Sequence, residues 1–227
     1  MTATDVPSSD APAGGPPPRR RGLPPPPTRR QFVLLMVALL YLAGSLGYVL
    51  GSRPAGHPGR DSVDAGFLYD MTTHHEQAVT MSDLELANGE ERAATSFARE
   101  ILSFQSYEIG LMDRQLGQWG LPAENPRSHA MEWMGMPVEA GRMPGMASEA
   151  QLARLAAARG RDADALFLTL MQDHHRGGVP MAEYAAEHAR SKFVRALAER
   201  MARNQRIEIK ELEQARARAG LGVGPTS

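Results

Sequence analysis

No cysteine occurs among the 227 residues, which removes disulfides and thiolate metal ligands from consideration and leaves the compartment open. Aromatic residues make up only 6% of the chain and strand-like runs are scarce, which argues against a β-rich core. Charge of one sign is missing too: 25 basic and 26 acidic side chains leave a formal net charge of −1. A nucleic-acid partner would need a basic face that this balance does not supply.

What the chain does have is unevenly placed. Residues 1–30 are rich in Pro, Gly and Arg ("GGPPPRRRGLPPPPTRR"). Such a stretch buries too little apolar surface to offset its chain entropy, and a disordered tail is expected. Residues 31–51 follow, with "FVLLMVALLYLAGSLGYVLG" from Phe32 to Gly51 free of charged side chains. At about 1.5 Å per residue this run covers roughly the hydrocarbon core of a bilayer. Arg19, Arg20, Arg21, Arg29 and Arg30 precede it. That bias predicts a single-pass anchor in the cell membrane, N-terminus cytoplasmic, with the remainder extracytoplasmic. The rival reading is a cleaved signal peptide, for which Ala43 and Ser45 offer a poor cleavage site. Gly47 and Gly51 have the spacing of a helix-dimer motif, which leaves a homodimer open.

Residues 52–61 read as a Pro/Gly linker, and residues 62–221 as one all-α domain. Apolar periodicity predicts four long helices, from Val63 to Ala87, Glu91 to Trp119, Ala163 to Ala189 and Ser191 to Ala219. Asp61 or Ser62 is placed to cap the first, and Gly89, Gly120 and Gly220 to stop helices. Ser148 with Gln151 makes a capping box for a short helix ending near Gly160.

Two stretches stand out. "LYDMTTHHEQAVTM", Leu68 to Met81, and "LTLMQDHHRGGVPM", Leu168 to Met181, carry Met, His-His and Met at one spacing, 100 residues apart. The same offset relates Phe67 to Phe167, Gln105 to Gln205, Glu108 to Glu208, Ile109 to Ile209 and Gly120-Leu121 to Gly220-Leu221. This is the pattern of a duplicated helical hairpin, repeats 62–121 and 162–221 joined by a connector, 122–161. One amphipathic hairpin cannot cover its own apolar stripe, so the two copies should pack into a four-helix bundle.

On a helical wheel both histidines of the first pair straddle the stripe of Phe67, Met71 and Ala78. Gln105, Glu108 and Met112 fall in the stripe of the second helix, and Gln205 and Glu208 in that of the fourth. A carboxylate inside a core is costly unless something charged or hydrogen-bonding meets it. Counted from the hairpin turn, the His pair and the Glu differ in height by about one helical turn. Four imidazoles and two carboxylates therefore converge, which is how bundles build metal sites. The candidate ligands are Met71, His74, His75, Met81 and Glu108 with Met171, His174, His175, Met181 and Glu208. The competing reading is a metal-free His–Glu network that holds helix register, with the methionines as core packing. The connector "SHAMEWMGMPVEAGRMPGM" adds Met131, Met134, Met136, Met143 and Met146 in a Gly/Pro-rich loop, beside His129. Thioethers select Cu(I); the alternative is a hydrophobic strap over the bundle, with His129 exposed.

The two His-His segments, "ILSFQSYEIGLM" and the Met/Gly connector together resemble the bacterial family called domain of unknown function 305, over about Asp61 to Leu221. The resemblance implies a ferritin-like four-helix bundle, export and, for some members, copper binding linked to copper tolerance. By position it carries over Asp70, Met71, His74, His75, Met81, Gln105, Glu108 and Met112, then Met171, His174, His175, Met181, Gln205 and Glu208. The second copy departs from the first: Gly177-Gly178-Val179-Pro180 replaces Gln77-Ala78-Val79-Thr80, Leu170 replaces Asp70, and Leu212 replaces Met112. A proline inside a helix removes a hydrogen bond, so a distorted second half-site is expected.

The leading expectation is a membrane-anchored, extracytoplasmic copper-binding protein, Cu(I) favoured, serving sequestration or handover rather than catalysis. Since imidazole must be neutral to bind, affinity should fall below about pH 6.5. The alternatives are a two-metal oxidoreductase using iron or manganese and a non-metal helical interaction module. The first is short of carboxylates and has no Glu-x-x-His pair on a His-bearing helix.

Overall fold

The computed structural model describes residues 28–51 and 57–222. The expected disordered tail, apart from its last three residues, and linker residues 52–56 lie outside the described residues. The chain divides into two units, Met1–Ala55 and Gly56–Ser227. In the first, helix α1 spans Arg29–Gly51. Its Arg29–Gly47 segment, with a mean hydropathy of 1.6, is long and apolar enough to cross a membrane. Side chains such as Leu34, Leu40 and Leu42 are exposed along it.

The second unit is all-α, with a largely non-helical connector between the chain's third and fourth α-helices. Four long helices, α2 (Val63–Asn88), α3 (Arg92–Gln118), α5 (Arg161–His188) and α6 (Lys192–Arg218), form two hairpins, with a short α4 (Glu149–Ala157) between them. No β-strand occurs among the described residues, only an isolated bridge between Ala130 and Val138 in the connector. The local signals act as expected. Ser62 caps α2 through Ala65 N–H, and Ser148 and Gln151 form a complete capping box on α4. Gly120 and Gly220 end their hairpins in the left-handed conformation, at φ 69° and 61°. Gly89 does not; it adopts φ −78°, and a Cβ there would stand 2.2 Å from Glu85 Oε1 and 2.6 Å from Asp164 Oδ1. Its service is space.

That crowding marks how the hairpins are joined. Asp164, in the first turn of α5, accepts hydrogen bonds from the N–H groups of Glu90 and Glu91, where α3 begins. Asp64, in the first turn of α2, accepts from Arg190 and Ser191 N–H, where α6 begins. Each hairpin therefore supplies the cap for the other's turn, and α2 and α5 lie antiparallel across the core. Both aspartates are buried. Glu85, also buried, faces Asp164; burial and this neighbouring carboxylate push its carboxyl up to about 9.

The apolar core falls into two clusters. One holds Phe67, Leu68, Met71, Met112 and Met181; the other holds Met81, Ile101, Phe167, Leu168 and Met171. Between them lies the polar layer described next. Helix α5 continues through Pro180. Gly177 and Gly178 serve close approach: a Cβ at Gly177 would meet the Pro144 carbonyl oxygen at 1.9 Å.

Replacing Asp64 or Asp164 by alanine leaves two N–H groups at a helix start without their side-chain acceptor. Each single substitution should cost roughly 2–4 kcal/mol by denaturant unfolding, far more than Asp162→Ala on the exposed side of the same turn.

Candidate metal centre

All four predicted histidines are buried, with relative exposure of 1% or less. The helical stripes bring them together as expected. His74 of α2 and His174 of α5 meet at the centre, ring centroids 3.8 Å apart and planes inclined at 38°. His75 and His175 point to the outer helices: His75 Nε2 lies 2.9 Å from Glu108 Oε2, and His175 Nε2 lies 2.6 Å from Glu208 Oε2. The two halves match in this contact, so the expected distortion of the second half-site does not reach it.

Much of the donor capacity here is unused. His74 Nδ1, His75 Nδ1, His175 Nδ1 and both ring nitrogens of His174 are buried and have no hydrogen-bond partner. The same holds for Oε1 of Gln105 and of Gln205, which are 5% and 4% exposed. Buried polar atoms are rarely left without partners, because each forfeits its hydration. Met71, Met81, Met171 and Met181 are fully buried on the same two helices. Nitrogen and sulfur donors of this kind suit a soft ion, and the unpartnered imidazole nitrogens are what a metal would satisfy. Among the described residues, no three His, Asp or Glu side chains are already grouped as an ion would hold them.

Burial also sets the protonation. It holds His74 down at about 3; the His75 and His175 imidazoles lower it further, and a hydrogen bond to the Pro144 carbonyl, at 3.1 Å, works the other way. Burial, then His74, His175 and His75 as neighbours, keep His174 well below the ordinary histidine value. Both rings are neutral in the fold. The expected proton competition below about pH 6.5 therefore does not apply to these two.

The remaining candidates separate. Asp70 is not aimed at the centre. Its Oδ2 accepts from Met131 N–H at 2.6 Å and Trp133 Nε1–H at 2.7 Å, and its Oδ1 from Asn125 at 3.2 Å. It fastens the connector to α2. Met131 and Met143 are buried in the same cluster as Met71 and Met112, as a strap would be. Met134 and Met146 are partly buried against that cluster. Met136 is 52% exposed, and His129 is exposed beside Glu132. Gln77 went unread in the sequence; its amide bonds both the N–H and the carbonyl of Ala147, clamping the connector's far end.

An all-helical unit with a buried double-His layer flanked by methionine and carboxylate defines the class. The chain belongs to the family described as domain of unknown function (DUF305), which matches residues 64–216. It is similar to a candidate secreted protein of that family from Streptomyces coelicolor, 35% identical over 74% of this chain and 99% of that one, TM-score 0.68. A family fragment from Deinococcus radiodurans is 32% identical, covering 69% of this chain and 96% of its own, TM-score 0.59. The third neighbour is CopM in its Cu(II)-bound form, 26% identical, covering 67% and 94%, TM-score 0.54. CopM is also solved in a Cu(I)-bound form. No curated protein matches the chain.

Because the unfolded chain protonates its histidines near 6.5 and the fold holds His74 neutral to about 3, unfolding takes up protons across that window. Stability of the metal-free protein should therefore fall as pH drops from 6.5 towards 3. Glu85 acts with the opposite sign, withdrawing stability as pH rises from 4.5 towards 9. Denaturant titrations across pH should show the acid slope flattened in His74→Gln and the alkaline loss relieved in Glu85→Ala.

Proposed function

We propose that the helical unit is an extracytoplasmic copper-binding protein, Cu(I) favoured, which sequesters or hands over copper while α1 anchors it in the membrane. The observation that carries this reading is the set of buried imidazole nitrogens without partners at the junction of the two hairpins. Copper is cargo here, not a catalyst. His74, His75, His174 and His175 would supply nitrogen, and Met71, Met81, Met171 and Met181 sulfur. Glu108 and Glu208 would orient His75 and His175 by accepting from their Nε2, which turns each Nδ1 inward as the donor lone pair. CopM, seen with copper in both oxidation states, lends support from within the same fold. Export is supported by the apolar N-terminal helix and by the Streptomyces coelicolor relative.

A second reading has its own observation. The two His–Glu bonds are complete without any ion, so the polar layer could serve only to hold helix register. The iron or manganese oxidoreductase finds no such support. Its carboxylates would have to be Glu108 and Glu208, and each is already bonded to a histidine.

Untagged protein should take up Cu(I), and a variant with all four histidines replaced by alanine should take up less. Cu(I) at about 100 times its Kd should stabilise the fold by roughly 2.7 kcal/mol. Equal copper content in the two proteins, or a melting temperature indifferent to copper, would favour the register-holding reading.

A further inference from the structure

The histidine layer has two sides, and they are closed differently. On one side the connector lies directly on the helices. The Pro144 carbonyl bonds His74 Nε2, and a Cβ at Gly145 would stand 2.6 Å from the Asp173 carbonyl oxygen and 2.7 Å from that of His174. Backbone rests on backbone there, and no ion passes without lifting the strap. A wide cleft beside the connector, lined by Gln77, Arg142, Met143 and Met146, includes none of the four histidines or their glutamates.

On the other side the outer helices α3 and α6 leave a cleft of about 70 Å³. Phe104, Gln105, Glu108, Asn204, Gln205 and Glu208 line it. Phe104 is 63% exposed at its rim, while Gln105 and Gln205 are buried at its base. Its walls reach the layer at several points. Glu108 touches His75, and Glu208 touches His175. A Cβ at Gly178 would lie 2.6 Å from Gln205 Oε1 and 3.3 Å from His74 Cε1, so only a glycine's breadth separates that amide from the central ring.

We infer that this α3–α6 cleft is the mouth through which a metal cation reaches the histidines. The inference rests on the copper reading and adds a route to it. An ion leaving water must exchange hydration for other donors before it meets the dry imidazoles. The cleft offers them in order: two carboxylates at its wall, then two buried amide oxygens without partners, then the rings. The negative charge of Glu108 and Glu208 draws cations rather than anions to the opening. Arg200, whose Nε lies 4.0 Å from Glu108 Oε1, sits at the same opening and screens one of the two carboxylates.

The test follows Cu(I) uptake by the full chain in detergent micelles, by stopped-flow transfer from a coloured Cu(I) chelator. Asn204→Trp fills the mouth from an exposed position and leaves every proposed ligand in place. Uptake then waits on a structural opening, and its rate should fall by about tenfold or more while the final copper content equals wild type. Phe104→Ala, which widens the rim, should leave the rate equal or faster. Arg142→Trp, on the connector side, should not change it. An unaltered rate in Asn204→Trp, or slowing in Arg142→Trp instead, overturns the route while the copper reading stands. A wild-type chain that takes up no Cu(I) at all brings down both.

Discussion

Each hairpin begins with an aspartate that caps the turn of the other, and the register of α2 against α5 follows from this exchange. Asp64 reaches the start of α6, and Asp164 the start of α3. A side-chain oxygen acceptor there satisfies N–H groups that the helix leaves without partners. Because the two caps lie at opposite ends, they determine how far α2 slides along α5. A slip of one helical turn would separate both aspartates from their donors and part His74 from His174. The 3.8 Å contact of those rings is thus set from the ends of the bundle, not by the rings themselves.

The layer they form is expensive. Two neutral imidazoles in van der Waals contact, with most of their nitrogens unpartnered, have surrendered hydration without replacing it. An apolar pair at these positions would join the two methionine-bearing clusters into one continuous core. A polar break is retained where hydrocarbon would be more stable, and this is what gives the copper reading its force. Desolvation that costs the fold stability also keeps His74 and His174 free of protons, which is the state a metal requires.

Much of this was legible in the chain. Helical period, caps and glycine stops placed the long helices within a few residues, and the wheel put His74, His75, Glu108 and their counterparts inward. These signals are local: they recur at intervals of 3.6 residues, or sit at helix ends. What escaped notice depends on distant partners. Asp64 and Asp164 share the 100-residue offset with the histidines, and that was the available clue, yet on their own helices they read only as ordinary first-turn acids. Asp70 comes in only with the family's motif residues, and its donors lie about sixty residues away, at Met131 and Trp133. Of the two glycines before Pro180, Gly177 makes room for the connector and Gly178 for Gln205 and His74, which neither helix shows on its own.

Several of the departures between the two halves share one cause. Gly66 and Asp70 receive the connector's first part: a Cβ at Gly66 would stand 2.4 Å from the Trp133 ring, and Asp70 binds that indole. At the equivalent positions the second half has Leu166 and Leu170, which pack in the core. Gly177 receives the connector's last part, where the first half has Gln77, which holds Ala147 by hydrogen bonds. A single strap meets the two hairpins at different places, and each differs from the other where the strap touches it. The consequence reaches the centre. His74 gives one nitrogen to the Pro144 carbonyl, whereas His174 keeps both unpartnered. The outer contacts of His75 and His175, away from the strap, remain alike. Among the four imidazoles the difference in hydrogen bonding thus falls on the inner pair, and an ion bound between the halves would meet His174 as the freer of the two central ligands.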